Sequence, residues 1–131
     1  MIKIRFANKK DLINLNSMLN YFHKKTDLEL EYDKYLIIEE ESIIGFLNYH
    51  KFYDKIEIQY IFIYEEYRNK GYANTLLKYL IENEEYSDIT LEVKVTNEFA
   101  IKLYSNNGFK IVSTRPKYYS GIDGYLMHRS R

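Results

Sequence analysis

The chain predicts an α+β or mixed α/β sandwich in which helices cover a mostly antiparallel sheet of about seven strands. Three observations lead there. Strand-like alternation and helix-like spacing of apolar residues follow one another in the order β, α, three β, α, β, α, two β. One segment, Ile56 to Tyr64, is nearly apolar through its second half, as expected of a strand at the centre of a sheet. That segment runs into a turn bearing Gly71 and then into an amphipathic helix.

The elements follow in order. Ile2 to Phe6 alternates and predicts a first strand. Asn8 and Asp11 resemble a capping box, and Leu12, Leu15, Leu19 and Phe22 recur at helical spacing, which predicts a helix of about four turns. Lys24 to Asp33 is charged and reads as a loop. Tyr35 to Ile38 and Ile43 to Tyr49 read as a hairpin around Glu39–Ser42, and the central strand Ile56 to Tyr64 comes next. Thr75 to Ile81 belongs to the second major helix. Ile89, Leu91, Val93 and Val95 share one face of a strand, with Thr90, Glu92 and Lys94 on the other. Asn97 is placed to cap a helix that ends at Asn107-Gly108. Phe109 to Thr114 and Tyr125 to His128 read as closing strands around Ser120–Gly124. The clusters Glu39–Glu41 and Glu82–Glu85 read as solvated turns and helix ends.

Composition narrows the function. A chain of 131 residues suits one domain, residues 1–131, and is long enough to bury about two thirds of its unfolded surface. Its content is 46% apolar and 29% charged, ordinary for a globular protein. Formal net charge is zero and the pI is near 6.8, so no basic field marks nucleic acid as the ligand. With no cysteine there is no thiolate nucleophile and no thiolate metal site. His23, His50 and His128 are too dispersed for a metal motif, and no metal is expected. No apolar run approaches the ~20 residues that span a bilayer, and the opening Met-Ile-Lys-Ile-Arg-Phe is unlike a secretory signal. The expectation is a cytoplasmic protein, monomer or homodimer, with neither membrane nor nucleic acid as partner.

The segment Tyr67-Arg68-Asn69-Lys70-Gly71-Tyr72-Ala73-Asn74-Thr75-Leu76-Leu77 carries the chemistry. A glycine-bearing turn from strand to helix leaves N–H groups unpaired at a helix N-terminus, a natural cradle for phosphate. It is neither a nucleotide P-loop, lacking the Gly-Lys-Ser/Thr ending, nor a dinucleotide fingerprint, which has three glycines. Gly71 permits close backbone approach. Arg68 and Lys70 either add charge to the cradle or stand as solvated surface cations.

Further blocks follow this turn at consistent spacing: Leu91-Glu92-Val93-Lys94-Val95-Thr96-Asn97, then Ala100, Leu103-Tyr104 and Gly108-Phe109. Together they resemble the GNAT superfamily of acetyl-CoA-dependent N-acetyltransferases, strongly over residues 56–109. Arg68-x-x-Gly71-x-Ala73 looks like that family's pyrophosphate loop. The second block, with Tyr118-Tyr119 and Asp123-Gly124, is similar to the RimI-type enzymes that acetylate protein N-termini. The resemblance implies a GNAT-like sheet flanked by three to four helices and splayed in the middle to hold acetyl-CoA as co-substrate. The segment after Asp123-Gly124 is shorter than the family pattern, and the aromatic-proline stretch near the N-terminus is missing; both departures concern the acceptor.

By that resemblance, main-chain groups of Ile61, Phe62 and Ile63 pair with the pantetheine arm, amides of Asn69, Lys70, Gly71, Tyr72, Ala73 and Asn74 hold the diphosphate, and Asn97 touches the arm or simply caps its helix. Glu92 matches the RimI position proposed as general base; Glu57 stands where other branches carry a catalytic glutamate. Tyr104 is the candidate general acid, a phenol of pKa ~10 facing a thiolate whose conjugate acid lies near ~8.5. Tyr118 and Tyr119 are candidates for the acceptor groove; being adjacent on an extended strand, they face opposite ways, so at most one belongs there. The acceptor is a primary amine, either a peptide N-terminus or a small molecule such as a polyamine, amino sugar or amino acid. A non-catalytic acyl-CoA-binding regulator is the rival reading.

Overall fold

The structure, a computed structural model, describes the whole chain from Met1 to Arg131 apart from the side chain of Tyr118. Strands β1 (Lys3–Phe6), β2 (Asp33–Glu39), β3 (Ile43–Phe52), β4 (Lys55–Ile63), β5 (Asp88–Lys94), β6 (Lys110–Tyr119) and β7 (Ile122–Ser130) join helices α1 (Leu12–Leu19), α2 (Tyr72–Asn83) and α3 (Glu98–Asn106). The strands form one sheet in the order β1-β2-β3-β4-β5-β7-β6. Every pair is antiparallel except β4 with β5, which α2 connects. Strand alternation sorts the core into two layers. Leu36, Ile58, Leu91 and Met127 pack with Leu76 and Leu80 of α2 and Tyr104 of α3 on one face; Tyr35, Ile37 and Phe46 pack with Leu15 and Leu19 of α1 on the other.

The sheet is not closed across its middle. β4 and β5 pair only from Lys55↔Asp88 to Ile58↔Leu91. Beyond that β4 stays with β3 and β5 with β7, so the two halves diverge. A bulge marks the branch point: Tyr49 pairs with Ile58 and Asn48 with Tyr60, leaving Gln59 as the extra residue of β4. The extra residue reverses the side-chain faces. Ile56 and Ile58 before it, and Ile61 and Ile63 after it, all lie on the α2 side, while Tyr60 and Phe62 turn to the α1 side. Gly45 lets β3 follow β4 to the end of this region, because a Cβ there would stand 2.1 Å from Phe62 O.

Four local expectations need correction. The first helix is α-helical only over Leu12–Leu19, with 3-10 turns at Lys9–Asp11 and Asn20–Phe22. Its capping box forms, but Asp11 is also clamped by both terminal nitrogens of Arg5, at 2.8 and 2.9 Å, and Arg5 Nε donates to Glu39 at 2.9 Å. Glu39 is therefore a strand-pinning residue and not part of a solvated turn. The closing strands run much longer than expected, around the two-residue turn Ser120-Gly121, whose φ values of 46° and 91° suit a tight hairpin. Asp123-Gly124, which looked like turn residues, lie inside β7, where Asp123 Oδ1 accepts from Lys117 N–H at 2.8 Å beside a β6 bulge. Pro116 is tolerated because β6 is an edge strand.

The last correction is Glu84, just after α2. It accepts from Tyr49 O–H at 2.6 Å and Lys51 Nζ at 2.7 Å, tying the helix end to β3. Burial works to raise its carboxyl, but Lys51 and Tyr49 together hold it below the usual carboxylate range. A depressed folded-state pKa means that this stabilisation is present above the unfolded value of ~4.3 and fades as pH falls below it. Glu84→Gln should therefore cost about 1–2 kcal/mol near neutral pH, a Tm drop of roughly 5 °C. The gap from the parent protein should narrow toward about pH 3.5; thermal melts showing an equal gap at both pH values would remove the charge from this account.

Candidate functional site

The divergence of β4 and β5 leaves a strand edge without a partner. Tyr64 N–H donates to Ile44 O at 2.9 Å across β3. By the two-residue alternation of a strand, Ile61 and Ile63 then turn their N–H and C=O groups the other way, toward the gap. Of the three strand residues expected at the site, Ile61 and Ile63 have main chains facing the opening; Phe62 turns its own toward β3 and its ring toward the α1 layer.

The turn after β4 follows from backbone conformation. A 3-10 turn, Glu65–Tyr67, leads to Asn69 and Gly71, which adopt left-handed φ values of 63° and 83°. Such alternation gathers successive N–H groups into an anion-binding concavity. A Cβ at Gly71 would meet nothing within 4 Å, so the protein requires glycine here for its φ and not for room. The first helical bond is Thr75 N–H to Gly71 O at 3.0 Å; among the described residues, none takes the N–H of Asn69, Lys70, Gly71, Tyr72, Ala73 or Asn74. Arg68 is not aimed at this concavity through its Nε, which donates to Ile63 O at 2.8 Å while the guanidinium lies over the Phe62 ring. Lys70 is exposed.

Asn74 is anchored from outside the loop. Its Oδ1 accepts from Asn107 Nδ2 at 2.9 Å, and the same amide donates to Leu103 O at 2.8 Å. Arg129 Nη1 completes the knot by donating to Asn107 O at 3.0 Å. The buried Asn107 thus fixes the start of α2 against the end of α3. The sequence marked it only as a helix stop.

Glu92 is the first β5 residue past the last pair with β4, on the α1 face of the sheet. Its side chain is 20% exposed, with Arg115 Nε 3.2 Å from Oε1. Glu57 lies on the same face, one pair back, and is exposed; Gln59 Nε2 donates to its Oε1. Tyr104 approaches from the opposite, helical layer, packed edge-on to Phe109 with ring centroids 5.5 Å apart. Burial, with a smaller contribution from Tyr119, drives its phenol well above the ordinary tyrosine value, so it stays protonated through the neutral range. The residue is buried, 8% exposed, and its hydroxyl has no hydrogen-bond partner among the described residues. Asn97 serves as the N-cap of α3, accepting from Ala100 N–H at 3.1 Å. Tyr119 lies beneath Lys94 Nζ, 5.6 Å from its ring centre. Tyr118, also expected at the acceptor, falls outside the described side chains.

Residues 9–109 fit the model of the acetyltransferase (GNAT) family. The chain belongs to that family. A [ribosomal protein bS18]-alanine N-acetyltransferase of Haemophilus ducreyi is 32% identical over 107 residues, covering 77% of this chain and 74% of that protein. The crystal structure of the ribosomal-protein-S18-alanine N-acetyltransferase from Escherichia coli superposes with a TM-score of 0.86 at 21% identity, covering 99% and 94% of the two chains. A chimera of the spermidine N-acetyltransferase SpeG from Vibrio cholerae reaches 0.81 at 20% identity over 98% and 95%. At those identities the GNAT fold is shared whatever the acceptor. The chain spans less than half the length of other curated relatives it matches, among them an N-alpha-acetyltransferase of Saccharolobus solfataricus.

Three features of the site went unread in the sequence: the bulge at Gln59, the Asn107 anchor and the partner of Glu92. Only the bulge leaves a trace, since the inward-facing isoleucines switch phase from 56 and 58 to 61 and 63. The aromatic residues between them mask the switch.

Proposed function

We propose that the chain transfers acetyl from acetyl-CoA to a primary amine by direct attack, with a peptide N-terminus as the acceptor. The observation that carries the reading is the run of six unpaired amides, Asn69 to Asn74, beside the free edge of β4. A diphosphate suits such a cradle, where the helix dipole adds up to ~1 kcal/mol. From there the Ile61 main chain and the Ile63 N–H offer strand-like pairing to a pantetheine arm leading to the fork, the Ile63 carbonyl already accepting from Arg68 Nε. An N–H on that edge is placed to polarise the thioester carbonyl, an effect worth about 3 kcal/mol in comparable sites.

Acyl transfer moves two protons, one from the amine and one to the leaving thiolate. Glu92 is the base of choice, half-buried at the fork; Glu57 is the rival. Tyr104 serves the sulfur. Its phenol lies above ~10, so full proton transfer to a thiolate of pKa ~8.5 is uphill by at least ~2 kcal/mol, and its role is first to donate a hydrogen bond to the developing charge. No cysteine is present to carry the acetyl group. An α-amine, pKa ~8, is cheaper to deprotonate at neutral pH than a lysine amine, pKa ~10.4, by about 3 kcal/mol. The likeness to the Haemophilus ducreyi enzyme supports the same acceptor class.

A thiol-release assay over peptides with free N-termini and a panel of small amines tests the reading. Release is expected with the peptides and should vanish when their N-termini are blocked. Acetyl-CoA binding without release for any amine would instead identify a non-catalytic acyl-CoA-binding protein. Tyr104→Phe should lower kcat by about 10²-fold or more with little change in acetyl-CoA affinity; an unaltered kcat removes Tyr104 from the reaction. Of Glu92→Gln and Glu57→Gln, the first is expected to lower kcat by about 10²-fold and the second to leave it near the parental value. The reverse outcome would make Glu57 the base.

A further inference from the structure

The free amides from Asn69 to Asn74 sit where a helix is weakest. A helix start is ordinarily held by a capping side chain that accepts from its first N–H groups. Helix α2 starts at Gly71, which has no side chain to do so. That leaves every amide available, and it leaves the first turn prone to fray. Within α2 the turn is closed by Thr75, whose N–H and Oγ1 both donate to Gly71 O at 3.0 Å.

A second restraint comes from α3. Asn107 is buried, and Leu103 O, a pure acceptor 2.8 Å away, fixes which end of its amide is the nitrogen. The same nitrogen also donates to Asn74 Oδ1 at 2.9 Å. Asn107 is itself held on both sides. Its N–H donates to Tyr104 O at 3.0 Å, and its carbonyl accepts from Arg129 Nη1 at 3.0 Å. Arg129 in turn fills the space over Gly108, where a Cβ would stand 2.3 Å from Nη1. The tie meets Asn74 at its side-chain oxygen, so it steadies the turn without consuming an N–H of the cradle. It also occupies an oxygen that would otherwise compete with a ligand, since asparagine side chains readily accept from nearby backbone N–H groups.

We propose that Asn107 is a positioning residue for the cofactor, holding Asn74 so that the amides at the start of α2 stay converged on the diphosphate of acetyl-CoA. The inference rests on the cradle being the diphosphate site of the reaction proposed above. A turn that is already ordered loses less freedom when its ligand arrives, and the gain appears as affinity.

Acetyl-pantetheine, the same thioester without the diphosphate, separates this role from a merely structural one. CoA affinity by calorimetry and kcat/KM with each thioester are measured for the parent, Asn74→Ala, Asn107→Ser and the double variant. Asn74→Ala removes the accepting oxygen, keeps every amide and puts a good helix former in the first turn. Each single variant should lose about tenfold in CoA affinity and in kcat/KM with acetyl-CoA. With acetyl-pantetheine, kcat/KM should hardly fall. The double variant should lose no more CoA affinity than the worse single variant. Parental CoA affinity in Asn74→Ala, equal losses with the two thioesters, or losses that multiply in the double variant would each overturn the proposal. Should Asn107→Ser fold poorly, Asn74→Ala decides alone. A parent protein that binds CoA no better than pantetheine would defeat the diphosphate reading of the cradle, and the proposal with it. One that binds CoA but is inactive with every amine would defeat only the proposed transfer, and the affinities would still decide the role of Asn107.

Discussion

Everything in this molecule is arranged around the short pairing of β4 with β5. Four residues of each strand hydrogen-bond, and then the strands part. A closed sheet would put the carboxylate of Glu92 and the phenol of Tyr104 on opposite sides of a continuous wall of main chain, unable to reach a common atom. In the reaction proposed above, the opening at that level is what would let both reach one bound thioester. The bulge at Gln59 and the absent side chain at Gly45 serve this opening, the first by re-aiming β4 and the second by letting β3 follow it.

The sequence made the order of elements legible because the signals were local. Ile89 to Val95 alternates cleanly, Asn97 looks like a cap and is one, and Gly71 falls where a left-handed residue is needed. The amides of the cradle were readable for the same reason, as consequences of a helix beginning after a tight turn. The closing hairpin was misjudged because Asp-Gly is a strong turn signal in isolation. Here Asp123 meets Lys117 across the ladder, and the bend falls three residues earlier at Ser120-Gly121.

What stayed hidden depends on residues far apart in the chain. Glu84 looked like one of several surface glutamates until Tyr49 and Lys51, more than thirty positions away, closed on it. Arg5 bridging Asp11 and Glu39 is of the same kind. Asn107 carried a true local meaning, the end of α3, which concealed its second one. Polar groups that link elements leave no periodicity behind, and a lone sequence offers no other handle on them.

The gap between the half-sheets has no ladder of its own to fix its width. Past Ile58 and Leu91, the spacing of the two jaws is set by whatever spans them on the helical side, where Asn107 joins α2 of one half to α3 of the other and Arg129 of β7 braces that joint. The mouth is thus adjusted from behind. A substitution at that brace, which also holds the Tyr104 main chain through Asn107 N–H at 3.0 Å, would loosen the joint that links the two halves.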